Sequence, residues 1–470
     1  MIMPNRKKIL IILLIGLAIR SGLLIRHHHT YYLSGLTQGL LARNVLEGRG
    51  LVVGEKEGRL LGELQSKRRK LVDISEIPVF ENERYFSQIY DMPGHGILLA
   101  GIWKITKDYR YIYVQILQII IDTLMIFLIF LICTSLFNEK IASLASFLYA
   151  IYFPQAFLSV HPLRDCWVMF VAIAIIYLII CYHKKPNIVN ALSIGLLTGL
   201  GTYMRPNLIF IALLISIFSI FYLGKKNCLK LILVSSLVIA AIMSPWWIRN
   251  WRIYHRFIPF SANFGHVMWA GLGVIPNKYG FVNSDEGAEN YVKNAGYEFR
   301  YGTPEFGQVL LERALEVIKR DPIFYIRVLI HRVPVALFPG LRWGIEPKDF
   351  SFRPKWLFPL WRRITGEGLM AYAKSHPFVF GYMLIRRFLI AVLFFLALGG
   401  VWLRRRKYDR VLLLISIPFY FIVVHLFTHV DPRYTFPGTW VYLVFSAVFI
   451  ENLLERRKHS VQARFEIAQK

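Results

Sequence analysis

The sequence predicts an all-α polytopic membrane protein with about ten transmembrane helices, and two observations support this fold class. The first is composition, because 56% of the 470 residues are hydrophobic and the mean hydropathy is +0.46. Soluble domains are usually roughly 45–50% apolar. The second is the recurrence of apolar runs of about 17–25 residues, the length at which a helix crosses a bilayer. Helices are expected because backbone groups in lipid must be hydrogen-bonded within the segment itself.

Basic clusters between the apolar runs set the orientation of the predicted helices. The net charge is +27, which in a soluble protein would suggest nucleic-acid binding. Here Lys and Arg flank the apolar runs, as the positive-inside rule and contact with anionic headgroups require. We therefore expect membrane lipid, and no nucleic acid, as the partner of this charge. The expected location is the plasma or inner membrane.

The chain is predicted to cross the membrane from a cytoplasmic N-terminus marked by the basic residues Arg6, Lys7 and Lys8. The predicted spans lie at about 9–25, 111–136, 142–158, 165–182, 188–203, 206–223, 229–247, 381–402, 410–428 and 436–453. The basic clusters alternate correctly between the two sides with this number of crossings.

Three segments follow from these spans. Residues 1–248 form a predicted N-terminal transmembrane catalytic module, which includes a long external loop at 26–110. Residues 249–379 form a predicted external or interfacial region. Residues 380–470 supply the C-terminal transmembrane helices.

The first external loop is predicted to contain two interfacial helices. Residues 35–47 have helical character and stop at Gly48. Residues 94–106 form a second apolar stretch, which is too short to span a bilayer and therefore predicts an interfacial helix.

Distinctive polar residues gather on the predicted external side. They are Asp91, Asp165, Arg205, Arg249, Asn250, Ser261, Asn263, Asp431, Arg433 and Tyr434. Ionisable groups in a membrane protein are expensive and are tolerated mainly where they act. A carboxylate can deprotonate an acceptor, and arginines neutralise a leaving phosphate through bidentate hydrogen bonds. This combination favours transfer from a phosphate-bearing donor.

Five segments carry a family resemblance. They are a first-loop helix ending in a glycine pair at 42–50, a Pro-Gly segment at 92–100, a glycine-rich span ending in Arg205-Pro206, a Pro-Trp-x-x-Arg-Asn element at 245–250, and Arg433-Tyr434 followed by Pro437. In these segments the chain resembles the GT-C superfamily of polytopic glycosyltransferases. That superfamily includes protein O-mannosyltransferases and the lipid A aminoarabinose transferase.

The resemblance implies an inverting glycosyltransferase with an extracytoplasmic active face. It would move a hexose or pentose from a polyprenyl-phosphate carrier to an extracytoplasmic lipid, glycan or protein acceptor. Asp91 and Asp165 are then the candidate catalytic carboxylates, and Arg205, Arg249 and Arg433 are the candidate ligands of the donor phosphate. The candidate substrate-binding residues from the same motifs are Asn44, His95, Asn250 and Tyr434.

The chain departs from the family pattern at one place. These enzymes usually carry a catalytic aspartate just after the first span, where residues 27–35 here contain no carboxylate. Asp91, beside the Pro-Gly segment, is therefore the preferred base.

Structural alternatives remain for the charged candidates. Asp91 and Asp165 can cap the helices that follow them, Arg205 can snorkel to the interface, and Arg249 can serve as a positive flank.

No cofactor and no metal site is predicted. Consecutive histidines on a helix, as at His27, His28 and His29, point in different directions and cannot ligate one ion without irregular backbone. A requirement for a divalent metal is left open, but no residues in the sequence support it. The sequence has no Gly-rich nucleotide-binding signature, and a lipid-linked donor would need none.

Two other functions are left open. One is a transporter of lipid or polysaccharide, or a non-catalytic binder of a lipid-linked sugar, which the missing first-loop aspartate favours. Transport predicts paired charges at mid-membrane. The other is a polysaccharide polymerase or ligase, which would require a lipid-linked polymer instead of a monosaccharide carrier.

Overall fold

The computed structural model describes residues 6–28, 33–68, 74–338 and 377–468. Within these residues the chain is almost entirely helical, with one two-stranded antiparallel sheet. The helices are α1 (Arg6–His27), α2 (Leu33–Leu46), α3 (Glu55–Arg68), α4 (Gly94–Thr106), α5 (Ile112–Leu136), α6 (Glu139–Ile151), α7 (Phe153–Ser159), α8 (Asp165–Lys184), α9 (Ile188–Met204), α10 (Ile211–Phe218), α11 (Ile220–Leu223), α12 (Lys225–Tyr254), α13 (Phe264–Leu272), α14 (Asp285–Asn294), α15 (Pro304–Arg320), α16 (Pro322–Leu337), α17 (Pro377–Arg404), α18 (Tyr408–Leu426), α19 (Pro432–Thr435) and α20 (Thr439–Ala468).

The predicted polytopic helical fold is confirmed. Six helices in the described ranges are long and apolar enough to cross a membrane, namely α1, α5, α8, α12, α18 and α20. The α6–α7 pair, bent by 58°, gives a seventh span when it is counted as one. The bend falls just before Pro154, which cannot continue the helical hydrogen-bond ladder. Shorter apolar helices lie at the remaining predicted spans, at Ile188–Met204, Pro206–Phe218 and Phe388–Arg404.

The first external loop contains the two predicted helices, α2 and α4, which pack against each other. Leu40, Leu99 and Trp103 are buried in their shared core. The sequence pattern did not predict α3 or the two strands, β1 (Val52–Gly54) and β2 (Tyr85–Ser87), which pair antiparallel. This small sheet fixes residues 85–87, from which an irregular segment leads to Asp91.

The second external region has its own hydrophobic core. Helices α13 to α16 bury Trp269, Phe306, Leu310 and Val328 among themselves. α12 continues past residue 248 to Tyr254, and residues 339–376 lie outside the described residues. The division of the chain at residues 248 and 379 therefore stays a prediction.

Candidate functional site

Asp165 and Arg205 form a buried ion pair at one end of the helical bundle. Asp165 is the first residue of α8, and Arg205 follows the last residue of α9. A residue before proline is disfavoured in helical conformation, so Pro206 leaves Arg205 in extended backbone (φ −144°, ψ 127°) at the end of α9. Nη2 of Arg205 donates to Oδ1 of Asp165 over 2.5 Å. Nη1 is also buried and has no hydrogen-bond partner in the described part of the chain, so it is available to an anion.

This pair decides between the alternatives for its two residues. The Asp165 carboxylate holds an arginine, and the start of α8 has no side-chain cap hydrogen bond. The Arg205 side chain is only 7% exposed, so it is enclosed by protein instead of reaching the interface.

Asp91 and Arg164 form a second acid–arginine pair. Asp91 lies in the irregular segment between β2 and α4. Nη1 and Nη2 of Arg164 both donate to Oδ1 of Asp91, over 3.1 and 3.2 Å. The start of α4 has no side-chain cap hydrogen bond, so Asp91 does not cap that helix. The Asp91 side chain is 16% exposed against 2% for Asp165, which makes Asp91 the more accessible carboxylate.

Arg433 and Tyr434 reach the same cluster from the C-terminal part of the chain. Asp431 caps α19 by accepting a hydrogen bond from the backbone N–H of Arg433 over 3.1 Å. The guanidinium carbons of Arg205 and Arg433 lie 4.9 and 5.1 Å from the centroid of the Tyr434 ring, within cation–π distance. Nε of Arg433 is a second buried donor with no hydrogen-bond partner among the described residues, although Oδ1 of Asp431 lies 3.8 Å away.

His95 joins the cluster through the first turn of α4. A Cβ added at Gly94 would collide with the carbonyl oxygen of Tyr203, so a glycine allows α4 to approach the end of α9. Burial and then the charge of Arg164 lower the pKa of His95 from 6.5 to about 4, while Asp165 acts in the opposite direction. The imidazole is therefore neutral at pH 7. Its buried Nε2 has no hydrogen-bond partner in the ranges that the structure describes.

Arg249, Asn250 and Asn44 belong to a different network, which joins α12 to the first external loop. Nη1 of Arg249 donates to Oδ1 of Asn250 over 2.9 Å, and Nη2 donates to the carbonyl of Leu51 over 3.2 Å. Asn250 and Asn44 each donate to a backbone carbonyl over 3.0 Å. Their hydrogen bonds within the described residues do not reach Arg205 or Asp165. Their roles as substrate ligands stay predictions.

Two residues of the cluster were not among the sequence-based candidates. Arg164 is one, although its position beside Asp165 is a signal in the sequence. His425 stacks on Tyr434, with ring centroids 4.9 Å apart, and its Nε2 lies 2.8 Å from Nδ2 of Asn207. No sequence pattern marks His425, because its place beside Tyr434 depends on how α18 turns into α19.

The described residues contain no group of three or more His, Cys, Asp or Glu side chains that could hold a metal ion. His29 and the three residues that follow it lie outside the described residues. The sequence-based candidates brought together are Asp91, His95, Asp165, Arg205, Arg433 and Tyr434.

Comparison with known proteins finds one family similar to part of the chain and several structures with a similar fold. Residues 92–249 match the sequence profile of the family described as dolichyl-phosphate-mannose-protein mannosyltransferase. This segment carries His95, Asp165 and Arg205. No curated protein sequence matches the chain.

Solved structures share the fold. An oligosaccharyltransferase of Archaeoglobus fulgidus, tethered to an acceptor peptide with an NVT sequon, is 14% identical with a TM-score of 0.53, over 96% of this chain and 50% of its own. The archaeal oligosaccharyltransferase AglB from Archaeoglobus fulgidus, in complex with an inhibitory peptide and a dolichol-phosphate, is 14% identical with a TM-score of 0.52, over 98% of this chain and 52% of its own. ArnT from Cupriavidus metallidurans in the apo state is 11% identical with a TM-score of 0.37, over 93% of this chain and 77% of its own.

The chain spans about half the length of the oligosaccharyltransferases it matches. At this level of identity the likeness to solved structures shows the fold alone, that of a multi-pass helical membrane protein. The family match adds the sequence relationship over residues 92–249. The chain is therefore similar to this mannosyltransferase family in sequence over residues 92–249, and to the oligosaccharyltransferases in fold.

Proposed function

We propose that this protein transfers a hexose or pentose from a polyprenyl-phosphate carrier to a lipid, glycan or protein acceptor outside the cytoplasm. The observation that carries the proposal is the convergence of Asp91, Arg164, Asp165, Arg205 and Arg433. One buried donor of Arg205 has no hydrogen-bond acceptor among the described residues. Carboxylates and arginines so arranged suit removal of a proton and departure of a phosphate. The AglB structure was captured with a dolichol-phosphate, which supports a lipid-linked donor here.

The donor phosphate is proposed to bind Arg205 and Arg433. Nη1 of Arg205 and Nε of Arg433 are both buried and lack hydrogen-bond partners among the described residues. Charge-assisted hydrogen bonds to a phosphate are roughly twice as strong as neutral ones. Because Asp165 already holds the other side of the Arg205 guanidinium, little conformational freedom of that side chain is lost on binding.

Asp91 is proposed to activate the acceptor. Arg164 occupies Oδ1, and Oδ2 accepts no hydrogen bond from the described residues. Oδ2 takes the proton of the acceptor hydroxyl while the oxygen of that hydroxyl forms a bond to the anomeric carbon of the sugar. The bond from that carbon to the phosphate oxygen breaks, and its electron pair leaves with the phosphate toward Arg205 and Arg433. Attack opposite to the leaving phosphate inverts the anomeric carbon.

Asp165 has a different proposed role. Its carboxylate is buried and occupied by Arg205 over 2.5 Å, whereas a base must reach the acceptor hydroxyl within hydrogen-bond distance. We therefore assign Asp165 to holding Arg205 and not to proton transfer.

The experiment is turnover of the purified protein with a panel of polyprenyl-phosphate sugars, with the freed carrier measured by mass spectrometry. We expect Asp91→Asn to lower turnover about 10²–10⁴-fold and to retain donor binding. Asp108→Asn is the matched control, because Asp108 is also a first-loop carboxylate paired with an arginine, over 2.5 Å to Arg110. Unchanged turnover in Asp91→Asn would remove the assignment of the base. Turnover with a lipid-linked polymer alone would favour the polymerase or ligase.

A transporter is the second candidate, because a fully buried charge pair joins two of the membrane-spanning helices. Arg20 of α1 donates to Asp122 of α5 over 2.5 Å, and neither side chain is exposed. If saturable donor binding comes without carrier release, and labelled lipid crosses reconstituted vesicles, the transporter replaces the transferase.

A further inference from the structure

Tyr90, the residue directly before Asp91, is held by the second external region. Its hydroxyl oxygen lies 2.9 Å from Nδ1 of His266 and 2.6 Å from the hydroxyl oxygen of Tyr301. His266 lies in α13, and Tyr301 lies shortly before α15. A residue of the first external loop is thus anchored to groups about two hundred positions away, next to the proposed base.

Several independent contacts hold Tyr90 and the residue before it in place. The Tyr301 ring lies 4.9 Å from the Tyr90 ring, centroid to centroid. Gly302 has φ +83°, and a Cβ there would come within 3.1 Å of the Tyr90 side chain. The backbone N–H of Ala262 donates to the carbonyl of Ile89 over 2.8 Å. Backbone and side chain are therefore both fixed on the N-terminal side of Asp91.

His266, one of the two partners of Tyr90, has a charged neighbour of its own. Nε2 of His266 lies 3.4 Å from Oδ1 of Asp285, at the start of α14. Burial lowers the pKa of His266, while Asp285 acts in the opposite direction. With a neutral imidazole that carries its proton on Nε2, the Tyr90 hydroxyl donates to Nδ1 of His266 and accepts from the Tyr301 hydroxyl. The Nε2–H of His266 then faces Asp285 but makes no hydrogen bond among the described residues.

The contacts around Asp91 explain why the position of Tyr90 affects the position of the proposed base. The segment that carries Asp91 has no helix or strand to hold it, and the described partner of its carboxylate is Arg164. A misplacement of about 1 Å at a reacting group can cost roughly 10²-fold in rate. A fixed residue on the N-terminal side is needed to keep the carboxylate where an acceptor hydroxyl can reach it.

We infer that Tyr90, seated by His266 and Tyr301, is a positioning residue for Asp91. The second external region is then part of the catalytic machinery, because it supplies the groups that orient the base. This inference rests on the proposed function and goes beyond it.

The test compares two variants that remove a tyrosine hydroxyl from a hydrogen bond of equal length. Tyr90→Phe removes the bond of 2.6 Å to Tyr301 and, with it, the bond of 2.9 Å to His266. The control, Tyr279→Phe, removes the bond of 2.6 Å from Tyr279 to Asp321, in the same region but without contact to Tyr90. Both are assayed for donor binding and for carrier release, with water and with azide as nucleophiles. Azide carries no proton to remove and therefore does not need the base.

The expected result is a fall of about tenfold to a hundredfold in release with water for Tyr90→Phe. Donor binding and capture of the sugar by azide stay near wild type. Tyr279→Phe stays within about twofold on all measures. Equal behaviour of the two variants, or a parallel loss of the water and azide reactions, would overturn the inference.

Two further variants keep the test decisive. If Tyr90→Phe does not fold, Tyr301→Phe removes one of the two bonds and leaves the Tyr90 hydroxyl in place; it is expected to show the same selective loss. Asp91→Asn separates the two proposals. If the wild type releases no carrier, the proposed function has failed; if Asp91→Asn leaves release with water unchanged, the assignment of the base has failed, and the inference with it. If Asp91→Asn abolishes that release while Tyr90→Phe does not lower it, only the positioning role has failed.

Discussion

The guanidinium of Arg205 is hydrogen-bonded to Asp165 on one side only. Nη2 donates to Asp165 over 2.5 Å, whereas buried Nη1 has no hydrogen-bond partner among the residues that the structure describes. Leaving a buried donor unpaired costs roughly 1–3 kcal/mol. A ligand oxygen that accepts from Nη1 would recover this cost on binding, and the donor phosphate proposed above has such oxygens.

Arg205→Lys tests this relationship. The charge opposite Asp165 is retained, but the second donor is lost, because lysine presents a point charge and no planar fork. Donor affinity is expected to fall by roughly tenfold to a hundredfold, since a hydrogen bond to a charged group contributes about 1.5–3 kcal/mol. Equilibrium binding of polyprenyl phosphate measures it.

The matched control is Arg110→Lys, because Arg110 also pairs with an aspartate over 2.5 Å but its side chain is 61% exposed. It should bind the carrier as the wild type does. Unchanged affinity in Arg205→Lys would count against a phosphate role for Arg205.

Gly94→Ala is expected to disrupt the contact between α4 and α9. The added Cβ would meet the backbone of Tyr203, which cannot move aside as a flexible side chain can. Overpacking of this kind costs about 1–3 kcal/mol, and the shift would move His95 away from Arg164 and Asp165, whose charges act on it. Gly101→Ala is the control in the same helix, because nothing lies within 4 Å of its Cβ position. We expect lower thermal stability and turnover for Gly94→Ala only, and similar melting of the two variants would refute the steric argument.

His95 should make the protein less stable in mild acid. Its pKa is about 4 in the folded protein against an ordinary value of 6.5. Between these values the unfolded chain binds a proton that the folded chain does not, so the free energy of unfolding falls as pH falls through this window. Full loss amounts to about 3 kcal/mol.

The measurement is the melting temperature in detergent from pH 7 to pH 4, for the wild type and His95→Gln. The difference between the two profiles isolates His95 from other titrating groups. His95→Gln should lose less stability on acidification, and parallel profiles would show that His95 does not remain neutral in the folded protein.

Asp122→Asn separates a structural ion pair from a transport site. Asp122 accepts hydrogen bonds from Arg20, Tyr149 and Gln155 over 2.5–2.8 Å, all buried. Breaking a buried pair by removing one charge typically costs about 3–5 kcal/mol. We expect a lower melting temperature with nearly unchanged turnover per folded molecule. Normal stability with loss of lipid movement across vesicles would instead support the transporter.

The sequence by itself determined the class of the fold and the places of its apolar helices. Apolar run length and basic flanks suffice for this, because a segment that cannot hydrogen-bond to lipid must satisfy its own backbone. Local chemistry also explains the end of α9 at Arg205, since proline disfavours helix in the residue before it. The candidates Asp91, Asp165, Arg205 and Arg433 could be chosen from sequence for the same reason, because charged groups among apolar spans are costly unless they act.

Only the tertiary structure decided which of these charges meet. Arg164 pairs with Asp91 across 73 positions, and Tyr90 meets His266 across 176. No local pattern encodes such partners, because they depend on which helix ends and loops the packing of the whole bundle brings together. For the same reason Arg249, Asn250 and Asn44, which come from the same family resemblance as the other candidates, lie in a separate network. Sequence spacing identifies a residue able to act, whereas the fold determines the partner that holds it in place.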